Sequence, residues 1–71
     1  MNITKEDKII FLIEEMEKVN ISGEDIIGML SILETENDID EMLSLVVNTP
    51  TMTEEKFVKA LIIVARKGVA V

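Results

Sequence analysis

Apolar residues recur along this chain at spacings of three and four. The first set is Ile9, Leu12, Ile13, Met16 and Val19, with Asn20 on the same face. The next sets are Ile26, Met29, Leu30 and Leu33, then Ile39, Met42, Leu43, Val46 and Val47. The last runs Phe57, Val58, Ala60, Leu61, Ile62, Val64 and Ala65. That spacing is the signature of amphipathic helices, and no alternation of useful length points to a strand. The pattern predicts helices over about residues 5–19, 23–35, 39–48 and 54–67, and so an all-α fold, a small four-helix bundle with short loops. The whole chain, 1–71, is expected to form one helical domain.

Each helix carries its own start signal. Thr4 is placed to cap the first, with Glu6 and Asp7 in the first turn, where the helix dipole favours acids. Ser22 caps the second, and Ile21 and Ile26 occupy the two positions of a hydrophobic staple. Asn37 or Asp38 is expected to cap the third, followed by Asp40 and Glu41. The fourth begins at Thr53, with Met52 and Phe57 as a staple, or one turn earlier at Thr51 with Glu54 completing a capping box. Breaks fall at Asn20-Ile21-Ser22-Gly23 and at Thr49-Pro50, since the residue before proline is biased away from helix. Arg66 and Lys67 suit the C-terminal dipole of the last helix, Gly68 suits its left-handed cap, and Val69 is then expected against Val64. Gly28, Ser31 and Thr35 form a small-residue face on which another backbone could approach closely. The apolar arc of the fourth helix is about 200° wide on a wheel of 100° per residue, which predicts a central helix.

Charge adds a second pattern. From residue 19 to residue 55 there is no lysine or arginine, yet nine of the 14 acids lie there, and the net charge is −7. A field of that sign disfavours nucleic-acid backbones as ligands and favours a basic or neutral partner. The densest stretch holds Glu34, Glu36, Asp38, Asp40 and Glu41, a candidate acidic patch. It does not fit a calcium loop, because no glycine stands sixth and no glutamate twelfth from Glu36 or Asp38. Its residues read instead as a capped turn at a helix N-terminus.

Composition removes several kinds of chemistry. The chain has no Cys, His, Tyr or Trp. Nucleophile–base pairs of the Ser–His or Cys–His kind, disulfides and ordinary zinc sites are therefore excluded. No catalytic, metal-binding or cofactor-binding residue is assigned, and no enzyme is expected. Small acidic helical chains invite comparison with acyl carrier proteins, which carry their prosthetic group on a Ser within Asp-Ser-Leu. Here Ile21-Ser22-Gly23 stands in that place, so the motif is absent and Ser22 reads as a cap. Helix-turn-helix DNA reading needs basic side chains on its recognition helix, and the second and third helices have none. The longest apolar runs, Ile9–Ile13 and Ala60–Ala65, are too short for a membrane span. No basic stretch precedes an apolar one near the N-terminus, so no secretory signal and a cytoplasmic location are expected.

An apolar fraction of 48% is high for a chain of 71 residues. A domain this small cannot hide so many apolar side chains easily, which suggests a homodimer. Phe11, Ile32, Leu45 and Ile63 fall outside the main stripe of their helices and are the candidate interface. The functional expectation is a non-enzymatic protein–protein interaction or regulatory module working through apolar helix faces. The competing expectation is an acidic DNA mimic that occludes a basic nucleic-acid-binding protein. No direct contact with nucleic acid, membrane or small-molecule substrate is inferred.

Overall fold

A computed structural model describes residues 4–68, and among them every regular element is a helix. The helices are α1 (Lys5–Lys18), α2 (Gly23–Ile32), α3 (Glu36–Asn48) and α4 (Glu54–Gly68). Their principal contacts run in a ring. α1 packs on α2 and α3, and α4 packs on α3 and α2, with the α3–α4 seam the most extensive. The fold is the all-α four-helix bundle that the periodicity predicts.

Local hydrogen bonding explains where the helices begin. Thr4 Oγ1 accepts from the Asp7 N–H at 3.1 Å, while the Thr4 N–H donates to Asp7 Oδ2 at 3.3 Å. This reciprocal pair satisfies two amides that would otherwise lack partners. Ser22 Oγ accepts from the Asp25 N–H at 3.3 Å. Thr53, rather than Thr51, caps α4, its Oγ1 accepting from the Lys56 N–H at 3.2 Å.

The start of α3 differs from expectation. Its cap is Thr35, not Asn37 or Asp38. Thr35 Oγ1 accepts from the Asp38 N–H at 3.1 Å, and the Thr35 N–H donates to Asp38 Oδ2 at 3.3 Å. Asp38 therefore serves as the third helical residue of a capping box, which satisfies two amides where a lone cap would satisfy one. The same geometry shortens α2. Thr35 is extended, with φ −119° and ψ 161°, so the helix cannot run to residue 35 and instead ends at Ile32.

α1 stops through a Schellman motif. Asn20 takes the left-handed conformation, φ 65°. Its N–H donates to Glu17 O at 3.0 Å, and the Ile21 N–H donates to Met16 O at 3.2 Å. Asparagine tolerates this region better than most residues. Ile21 and Met16, the apolar pair that accompanies the motif, are both buried. At the far end, α4 continues through Gly68, and the expected contact of Val69 with Val64 lies outside the described residues.

The core joins Leu12 and Met16 of α1, Ile26 and Met29 of α2, Ile39, Met42 and Val46 of α3, and Phe57, Ala60, Leu61 and Val64 of α4, with Ile21 and Leu33 from the connections. Met52 packs against this core, as its staple position requires. Three residues expected to face inward are exposed: Val47 (67%), Val58 (42%) and Ile62 (47%). α4 shares the most extensive seam and supplies four core residues, yet its apolar arc is only partly covered. It meets α3 and α2 across one side, and two neighbours cannot cover a 200° apolar arc. Nor does any backbone approach the small-residue face of α2, since a Cβ built at Gly28 would meet nothing within 4 Å.

Candidate functional site

Folding changes the acidic segment. α1 lies against α3, and this brings Lys8 into the stretch that has no basic residue of its own. Lys8 Nζ sits 2.6 Å from Asp40 Oδ1 and 3.2 Å from Glu36 Oε2. The lysine side chain is only 18% exposed, while the two acids remain open to solvent. Hydrogen bonding to Asp40, and then to Glu36, holds the Lys8 amino group above its ordinary pKa, against a smaller opposing effect of desolvation. Asp38 is committed to the α3 cap. Glu34 is exposed at the corner between α2 and α3, and Glu41 lines a hollow beside Ser44, Leu45 and Ile63. The five candidate acids are therefore distributed over a cap, an interhelical ion pair, a corner and a hollow. Among the described residues, no group of three or more acids could hold a metal ion.

The four off-stripe apolar residues separate into different surfaces. Leu45 and Ile63 come together, lining the hollow between α3 and α4 with Thr49, Lys56, Lys59 and Ala60. Leu45 is half-buried against the core, and Ile63 is 47% exposed. Ile32 (46% exposed) lies on another side, in a groove between α2 and α4. Phe11 is 38% exposed on α1 and lines neither feature.

The α2–α4 groove is the largest of these features, with a volume of about 530 Å³. Its floor is apolar: Gly28, Met29 and Ile32 from α2, Val58 and Leu61 from α4. Glu24, Asp25 and Glu54 also line it, and among the described residues no basic one does. The acids come from the first turns of α2 and α4, where the dipole stabilises them. Gly28 leaves the floor open because it carries no side chain. The groove arises from two sequence features: the small-residue face of α2 and the excess width of the apolar arc on α4. An arc wider than one packing seam needs is the signal that marks Val58 and Ile62 as surface residues.

Among the described residues no helix is long and apolar enough to cross a membrane. Comparison of the chain with protein-family models, curated proteins and solved structures found no match.

Proposed function

We propose that this chain is a non-enzymatic interaction module that works as a homodimer and receives a helix of another protein in the α2–α4 groove. The observation that carries the reading is the groove's composition: an apolar floor, three acids and, among the described residues, no basic one. An amphipathic helix inserts its apolar face into such a groove by burying area. Acids beside the floor favour an occupant with lysine or arginine flanking its apolar stripe, and disfavour an acidic one. The lack of any Cys, His, Tyr or Trp supports a role without catalysis.

A synthetic leucine–lysine amphipathic peptide tests this by calorimetry, with a leucine–glutamate peptide of the same pattern as comparison. The basic peptide should bind and the acidic one should not. Gly28→Leu should fill the groove and abolish binding without loss of helicity, since nothing stands within 4 Å of a Cβ there. Binding should persist as salt rises, because apolar burial is not screened. Binding that collapses with salt and ignores Gly28→Leu would instead favour the acidic-mimic reading. In that reading Glu34 and the other exposed acids attract a basic protein without use of the groove.

A further inference from the structure

The outer face of α4 carries its own complement. Glu55, Val58, Ile62 and Arg66 follow one another at spacings of three and four and fall within an arc of about 80°. All four are exposed, Glu55 with 79% of its side chain accessible. The face points away from Phe57, Ala60 and Val64, which are buried. Along it the order is acid, apolar, apolar, base, over about 16 Å of helix.

That order is complementary to itself only when two copies run antiparallel. We infer that two copies of this chain pair through α4, antiparallel, about a two-fold axis passing between residues 60 and 61. Glu55 of one copy then meets Arg66 of the other, twice, and Val58 and Ile62 of both copies lie between the two ion pairs. A parallel pair would set Glu55 beside Glu55 and Arg66 beside Arg66. The antiparallel pair also places each helix N-terminus near the partner's C-terminus, which the dipoles favour. Within its own chain Glu55 pairs with Lys59, at 3.9 Å and with 72% of the lysine side chain exposed. Such a pair is weak and leaves Glu55 able to turn to another cation. The interface is isologous, so every residue enters it twice.

The inference rests on the reading that apolar helix faces carry the function, and supplies the face used for self-association. It is tested by sedimentation over a range of protein concentrations. The wild type should dimerise, and Ile62→Asp should weaken the dimer at least about a hundredfold, because one substitution places two carboxylates in the interface. Glu55→Arg and Arg66→Glu should each weaken it, and the double exchange should restore it. Circular dichroism records whether each variant keeps its helices. A second route does not depend on those variants: the chain has no cysteine, so Ile62→Cys should form a symmetric disulfide dimer under mild oxidation, while Ile10→Cys on α1 should not. A monomeric wild type overturns the inference, as does a folded double exchange that fails to recover or an Ile62→Cys chain that links no better than Ile10→Cys. Peptide binding retained by a monomer would defeat the α4 pairing alone, and an intact dimer without peptide binding would defeat the groove alone.

Discussion

The two phenylalanines offer a sharp test of the packing. Phe57 is completely buried on α4, and Phe11 on α1 is 38% exposed. Truncating a fully buried Phe to Ala removes its transfer free energy and leaves a cavity, together about 3–5 kcal/mol. Phe11 keeps part of its ring in water and leaves no closed void, so Phe11→Ala should cost about 1 kcal/mol. A chain of 71 residues has a total stability of about 4–11 kcal/mol. Phe57→Ala therefore removes about a quarter or more of what holds the fold, and a weakly stable wild type would not survive it. Phe57→Leu, which keeps most of the volume, should cost about 1–2 kcal/mol and remain measurable. Urea unfolding followed by circular dichroism is the suitable assay, because the chain has no Trp or Tyr to report by fluorescence. With a slope of about 1 kcal/mol per molar for so small a domain, Phe57→Leu should lower the midpoint by about 1–2 M. All variants are compared at one protein concentration, since dimerisation would make stability depend on it. If Phe11→Ala proves as costly as Phe57→Ala, the phase of α1 described here is wrong.

Thr35→Ala should destabilise by about 1 kcal/mol in the same assay, while Asn37→Ala should change little, because the capping box of α3 uses Thr35 and Asp38. Asn20→Gly should raise stability by a few tenths of a kcal/mol and Asn20→Ala should lower it by about 1, since φ is 65° there. Lys8→Met should lower the melting temperature at neutral pH. The Lys8 pKa is raised above 10.5 in the fold, so the folded state holds that proton more tightly than the unfolded chain does. Its contribution is complete below the ordinary lysine range and is lost as pH climbs through the raised value. The difference between wild type and Lys8→Met should thus stay constant across neutral pH and shrink as pH climbs past the ordinary lysine range; a constant difference throughout would contradict the ion pair. Phe11→Ser should leave the dimer constant unchanged in sedimentation, and a large increase would move the interface to α1.

Local chemistry made the helices legible. The caps at Thr4, Ser22 and Thr53 act on amides three residues away, so residue order alone reveals them. Heptad-like spacing named the buried residues of α1 and α2 for the same reason, because side chains at three and four share a face whatever surrounds the helix. Thr35 was harder to see, since Asn37 and Asp38 are equally good isolated caps and only the reciprocal bond decides among them. The tertiary structure decided what depends on neighbours. Lys8 meets Glu36 across 28 positions of sequence, an encounter set by how α1 lies on α3. The exposure of Val47, Val58 and Ile62 depends on how many helices cover each face, and a periodic pattern gives the direction of burial without its width. The α2–α4 groove follows from that width: a ring of four short helices leaves part of its apolar surface open.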